Sequence, residues 1–458
     1  MSSSPADASA ASPLARFLKL LAAVEPQEVR AVVLSMLSFF FLFGSYSVVK
    51  PVRDTMGTVY GVAHLQELFT VTLIASFVFA PLYAALASRM KLSTFLPWVY
   101  GFIGLSLVLF YALFQSGRYQ DRWIAAAFYV WVSTFNLLIL SVLWSFMADT
   151  FTRSQAKRLF GFVGAGVTIG GIAGPAVATL LAEKIGNNNL MLIGAAGFFL
   201  TAVLVRFLAR EKQRLVETGA EAQRTTLEHR LRPGNPFAGF MLLLRSPYLL
   251  LLAAFLLLMT WISTIVYFQL TDLIQHAFPN HAARTHAFGL IDLSVNSIAV
   301  VVQLLGTGRF IARFGVTAGL LLNPIIMVIA FLAVAFSPVL LVLGGIQIVR
   351  RAAEYAVAKP TREMLFTVVD QESKYKAKNV IDTVVYRFGD FSSAWVSSAI
   401  LPHGVAGLAI FGAIMSALWF PVAWILGRRY ENARSSGEAV TMNESAAARP
   451  DGGAPARV

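Results

Sequence analysis

Long apolar runs alternate with short polar breaks from Val29 to Gly427. The runs fall near 29–49, 65–88, 93–114, 123–147, 159–182 and 189–209, and then near 246–273, 286–311, 315–336, 338–357, 379–401 and 405–427. Each approaches or exceeds the roughly 20 residues that a helix needs to cross a hydrocarbon core. Apolar positions within a run are continuous rather than alternating, which excludes the strand pattern of a membrane barrel. Backbone groups in lipid must be satisfied within their own segment, as a helix does. The pattern therefore predicts an all-α membrane protein of about twelve transmembrane helices.

The polar segments divide the chain. Residues 1–12 are rich in Ser, Ala and Pro, and 13–24 have the make-up of a short interfacial helix. A cleavable signal is not expected, because the long apolar run starts only after Val29. A basic stretch at 210–245 holds Arg210, Lys212, Arg214, Arg224, Arg230, Arg232 and Arg245. The expected organisation is an N-terminal segment 1–28, a six-helix half 29–209, a connector 210–245, a second six-helix half 246–427 and a tail 428–458. Lys and Arg concentrate in the termini and in alternate loops, which puts both termini and the connector on the cytoplasmic face of a bacterial inner membrane.

An internal echo supports two pseudo-symmetric halves. An offset of 221 residues relates Asp149 to Asp370 and Lys157 to Lys378, with Ala156 and Ala377 before the two lysines. Arg89, after the second span, is matched by Arg309 and Arg313 after the eighth. Parallel halves related about the membrane normal are the major facilitator architecture.

Composition narrows the class. Residues are 57% hydrophobic and 13% charged, against about a quarter charged in soluble domains. A net charge of +13 would otherwise suggest nucleic acid, but basic loops on one membrane face account for it. The expected partners are the lipid bilayer and a small solute, with no nucleic acid, acting as a monomer. No cysteine is present, and the six histidines lack ligand spacing beyond His281 and His286, so no metal or cofactor is expected. There is no GxxxxGK[ST] motif and no Gly-Lys dipeptide, which excludes a P-loop ATPase. Catalytic constellations are also absent, and a gradient-driven carrier is expected rather than an enzyme.

Charges near the spans are the candidate chemistry. YSVVKPVRDTMG, read as the loop after the first span, carries Lys50, Arg53 and Asp54. These are either snorkelling cations with a local pair or a basic entrance for an anion, which guanidinium grips bidentately. LWSFMADTFTRSQAKRLFGF carries Asp149, Lys157 and Arg158, either as a positive-inside loop with a helix cap or as part of a site. In the second half, Lys359 and Arg362 bracket Pro360, while Asp382, Arg387 and Asp390 lie in an apolar span. Charges inside a membrane are costly and face a partner or a wet cavity; Arg387 and Asp390 could simply neutralise each other. Asp292 and Asn296 form a polar stripe one turn apart. Lys50, Arg53, Asp149, Lys359, Arg362 and Arg387 are thus candidates for substrate binding. Asp54, Lys157, Arg158, Asp292, Asp370, Lys378, Asp382 and Asp390 are candidates for gating or coupling, and pairs across the halves among Asp149, Lys157, Asp370 and Lys378 are expected to close the cytoplasmic side. Gly161, Gly164, Gly166, Gly170, Gly171 and Gly174 before Pro175 suggest close helix packing or a hinge. Tyr267, Tyr355, Tyr386 and Trp395 could stack on a base or only pack.

At these residues the chain resembles the ATP/ADP translocase family of intracellular bacteria and plastids, itself similar to major facilitators in fold. The resemblance runs from PQEVRAVVLSMLSFFFLFGSYSVVKPVRDT to the final span and is most specific in LWSFMADTFTRSQAKRLFGF and KPTREMLFTVVDQESKYKAKNVIDTVVYRFGD. It implies exchange of ATP and ADP, or of other nucleotides, with proton coupling in some members. It also implies roles for Arg53 (a Lys in the family), Asp149 (a Glu) and Arg362 (a Lys before Glu363). Departures accompany it: Tyr267 stands where the family has a membrane glutamate, Thr271 where it has a Lys, and Asp390 follows Gly389 where it has Gly-Lys. Two other readings remain open at this stage: a proton-coupled facilitator of another solute using Asp292, Asp382 or Asp390, and a membrane scaffold without transport.

Overall fold

In the computed structural model, residues 24–25, 27–118, 121–217, 238–369, 377–378 and 380–436 are described. The expected interfacial helix up to residue 23, most of the connector, Asp370 and the tail beyond 436 lie outside them.

Among the described residues, eight helices are long and apolar enough to cross a membrane. Two of these, 57 and 56 residues long, each contain a glycine at φ +80°, Gly186 and Gly315. That left-handed conformation suits glycine and breaks each helix into two spans. Two more helical stretches, Leu340–Met364 and Ile381–Ile400, complete twelve; their polar residues keep them below the hydropathy of the others. In chain order the spans are α1 Val29–Tyr60, α2 Leu65–Arg89, α3 Leu92–Leu113, α4 Arg122–Thr150, α5 153–185, α6 187–217, α7 Pro247–Ala277, α8 281–314, α9 316–336, α10 340–364, α11 381–400 and α12 Val405–Ser436. Many apolar side chains face outward, such as Phe336 at 89% and Leu341 at 87% exposure, as lipid-facing positions require.

The chain forms two compact units. The first is Met1–Arg230 with Leu270–Val300, and the second is Leu231–Gln269 with Val301–Val458. The end of α7 and most of α8 thus belong to the unit built on α1–α6.

In the first unit, α1 lies along α5 and α6 through glycines. A Cβ on Gly170 would sit 2.5 Å from the Phe40 carbonyl oxygen, and one on Gly174 would sit 2.5 Å from that of Gly44. The Gly-rich run is therefore a packing surface on which two backbones touch. Phe39, Leu42, Val49, Val52, Phe128, Val132 and Phe198 fill the core around this contact.

The expected end of the first span at residue 49 is corrected: α1 continues as helix through Pro51 to Tyr60. Lys50, Arg53 and Asp54 therefore sit on a helix, not in a loop. A proline inside a membrane helix is tolerated when neighbours satisfy the backbone groups it frees, and this is seen at Pro175 and Pro360. Pro175 lacks the N–H that would bond Gly171, and Asn296 Nδ2 donates to the Gly171 carbonyl instead, at 2.6 Å. Pro360 cannot donate to Ala356, and Thr307 Oγ1 does so, at 2.7 Å. A π-helical turn at Glu354–Ala358 precedes that proline, and α10 continues through it.

Candidate functional site

The first charged cluster lies where α1, α4 and α8 meet inside the first unit. Lys50 Nζ donates to Asp292 Oδ2 at 2.6 Å and lies 3.4 Å from Asp54 Oδ2. Arg53 grips the other oxygen of Asp54, with Nε at 3.1 Å and a second guanidinium nitrogen alongside. Its Nη1 donates to Ser133 Oγ at 3.2 Å, and its plane lies over the Tyr129 ring, 5.1 Å from the centroid. Both carboxylates are 3% exposed. Two cations and two anions balance, which is how buried charge persists in a membrane segment. The cations remain partly open, Lys50 at 21% and Arg53 at 14%.

Next to this cluster stands Arg284, a residue that sequence reasoning passed over as part of a loop. It is 9% exposed and caps the end of α7, donating to the Phe278 carbonyl at 2.6 Å and the Gln275 carbonyl at 3.2 Å. A cation suits a helix C-terminus, where carbonyls lack helical partners. Its Nη1 also donates to Thr58 Oγ1 on α1 at 2.9 Å.

Asp149 stands elsewhere in the first unit. It lines a cavity of about 560 Å³ with Lys91, Ser93, Phe146, Lys212 and Gln213. Lys212 lies over the Phe146 ring, 5.7 Å from its centroid. Arg158 bonds Glu28 at 2.6 Å and Glu25 at 3.2 Å, fastening the entry of α1 to α5. The side chain of Lys157 and the whole of Asp370 lie outside the described residues.

The second unit holds its own charges. Arg362 lies 3.6 Å from Glu363 and 3.8 Å from Asp382, and Lys378 pairs with Glu363. The Arg362 Nε is buried and has no hydrogen-bond partner among the described residues. Lys359 is exposed. Arg387 lies 3.5 Å from Asp390, so these two do pair along one helix face.

Arg350 is the other residue the sequence reading missed. Only 5% exposed, it bonds Glu354 at 2.9 Å, Ser263 Oγ at 2.7 Å and Gln347 Oε1 at 3.0 Å. The signal was available: Arg350, Arg351 and Glu354 fall inside the 338–357 run, and intramembrane charge is the criterion that selected Arg387. Of the aromatic candidates, Tyr355 packs under Arg351 with a centroid distance of 5.6 Å, and Trp395 is 48% exposed.

This arrangement of helices and internal charges has known counterparts. Residues 32–354 match the Major Facilitator Superfamily. The chain belongs to that superfamily. As a major facilitator it is a secondary transporter and not an enzyme, and it spans its membrane many times. Similar proteins include ADP,ATP carrier protein 1 of Chlamydia muridarum, 24% identical over 96% of this chain and 96% of the relative. ADP,ATP carrier protein 1 of Chlamydia pneumoniae is 22% identical over 91% and 95%. Among solved structures, a bacterial homologue of the iron transporter ferroportin in an inward-facing state superposes with TM-score 0.60 at 13% identity, covering 86% of this chain and 99% of that one. The nucleoside transporter NupG gives TM-score 0.56 at 15% identity over 87% and 98%. These superpositions establish the major facilitator fold; identities this low say nothing of the solute.

Proposed function

We propose that this major facilitator exchanges nucleotides of the ATP and ADP type, or another multiply phosphorylated anion, by alternating access in a bacterial inner membrane. The observation that carries the reading is the end-to-end similarity to ADP,ATP carriers, over 96% of both chains in one case. The charges support it. A polyphosphate entering a membrane protein loses hydration and needs several fixed cations. Lys50 and Arg53 in the first unit, and Lys359, Arg362 and Arg387 in the second, are such cations. The unbonded Arg362 Nε is a donor suited to a phosphate oxygen. We assign solute contact to these five, coupling to the carboxylates beside them, and a gating role to the region of Asp149 and Lys157. The protein works as a monomer with both termini cytoplasmic.

Intact bacteria expressing the protein provide the test. Labelled ATP and ADP should enter such cells, unlabelled nucleotide outside should chase label out, and a protonophore should leave exchange intact. Uptake of inorganic phosphate alone, or loss of all uptake with the protonophore, would point to a proton-coupled carrier of another solute.

A further inference from the structure

Two π-helical turns face one another in the second unit, Gln303–Thr307 on α8 and Glu354–Ala358 on α10. At the end of the α10 turn the Lys359 N–H donates to the Glu354 carbonyl, five residues back rather than four. The Tyr355 carbonyl, which that N–H would meet in a regular α-helix, is released. Pro360 has no N–H, so the next carbonyl, that of Ala356, is released as well. Two adjacent carbonyls thus lose their backbone donors, and α8 replaces both. Gln303 Nε2 donates to the Tyr355 carbonyl at 2.9 Å and Thr307 Oγ1 to the Ala356 carbonyl at 2.7 Å, from the first and last residues of the facing turn.

A proline alone does not dictate this geometry. Its ring crowds the carbonyl four residues back, and a helix can answer by bending, with no extra residue in the turn. Unpaired carbonyls in a membrane are costly, so a turn that releases two of them needs donors from a neighbour. A π turn also takes up one extra residue. Beyond it, each residue of α10 stands where the residue before it would stand in an uninterrupted α-helix. Arg362, 3.8 Å from Asp382, therefore occupies the place that Thr361 would otherwise take. Thr361 is fully buried instead and packs on Gly319 of α9, where an added Cβ would lie 2.6 Å from Thr361 Oγ1.

We propose that Gln303 and Thr307 are positioning residues for the solute contact of Arg362. By holding the Tyr355 and Ala356 carbonyls they keep the π turn, and the turn sets which side chain of α10 meets the solute. Without them the Lys359 N–H recovers the Tyr355 carbonyl, the extra residue is released, and the chain beyond advances by one place. Thr361 then fills the place of Arg362, and a hydroxyl replaces the guanidinium that suits a phosphate oxygen. Asp382, beside Arg362, itself lies in a π turn, Ile381–Val385, so both sides of that pair are set by widened turns. The solute contact rests on the anion-transport reading, whereas the register of α10 does not.

Because the chain has no cysteine, single thiols can report that register. Thr361→Cys and Glu363→Cys are placed separately in the full protein, and their rates of reaction with N-ethylmaleimide are measured. With α8 intact the first should react slowly and the second readily, as Thr361 is buried and the Glu363 side chain is 43% exposed. Adding Gln303→Leu with Thr307→Val should speed the thiol at 361 at least about fivefold, the effect of losing one buried hydrogen bond. The same change should slow the thiol at 363, which moves toward the place of the less exposed Met364. Thr307→Ser keeps the hydroxyl and should leave both rates as they were. If the Leu and Val pair fails to express, Gln303→Leu alone carries the same comparison. ATP probes the site by equilibrium binding, and Gln303→Leu with Thr307→Val should raise its Kd at least about fivefold. Unchanged thiol rates in that variant would overturn the proposal. So would faster reaction at both positions, which is loosened packing without a change of register. A shifted register with an unchanged Kd would overturn the role in solute contact. If the parental protein binds no ATP, the nucleotide reading fails, and the two thiol rates alone decide the positioning.

Discussion

Arg53 and Arg362 differ in what surrounds them, and their substitutions should differ accordingly. Arg362 keeps a buried N–H without a partner among the described residues and lies 3.8 Å from Asp382, so a donor is left for a solute oxygen. Arg362→Gln should weaken binding of ATP by about 2–5 kcal/mol, the range for losing one partner of a desolvated charge contact. Arg362→Lys should keep part of it, because charge survives while the planar fork does not. Arg224→Gln, in the connector, should change little. Equilibrium binding to the purified variants checks all three. Arg350 presents the opposite case, a cation saturated by Glu354, Ser263 and Gln347. Arg350→Met leaves the partly buried Glu354 without that cation and should destabilise the protein by about 3 kcal/mol. Thermal unfolding in detergent should show this loss, and Glu354→Gln added to the variant should recover part of it. Charge type and position were legible in the sequence for Arg53, Arg362 and Arg387. The partner of Lys50 was not, because Asp292 is 242 residues away and no local spacing links the two.

Helices were read well where apolar composition alone decides them, as in α7 or α12, and poorly where polar residues continue a helix. The first span was expected to stop before Lys50 because Pro51 and three charges ordinarily end a membrane run. It continues because Lys50, Arg53, Asp54 and Asp292 satisfy one another's charge. The glycine run in α5 left packing and hinge both open, and the backbone contact with α1 favours packing. Gly170→Val should therefore abolish stable folding of the first unit, since its Cβ would meet the Phe40 carbonyl and backbone Gly44 N, which cannot swing aside. Gly161→Ala has nothing within 4 Å of the added Cβ. In a helix that change should be neutral or stabilising by up to about 1 kcal/mol, as glycine is the poorer helix former. Expression level and monodispersity in size-exclusion chromatography separate the two variants.

At the scale of the molecule, the repeat at 221 residues pointed to the major facilitator class, and the superfamily match confirms it. The membership of 270–300 in the first compact unit was not legible, because periodicity identifies spans without saying which neighbours they choose. The proposed orientation rests on the distribution of Lys and Arg. Cytoplasmic reporters fused after Ala220 and after Ser435 should both be active, and a periplasmic signal from either would invert the topology. Solute exchange is the central claim, and reconstituted transport tests it most directly. Proteoliposomes containing the purified chain and loaded with ADP should accumulate labelled ATP, with no imposed proton gradient and with little accumulation in vesicles loaded with buffer alone. Equal ATP accumulation in ADP-loaded and buffer-loaded vesicles, or none in either, would contradict nucleotide exchange.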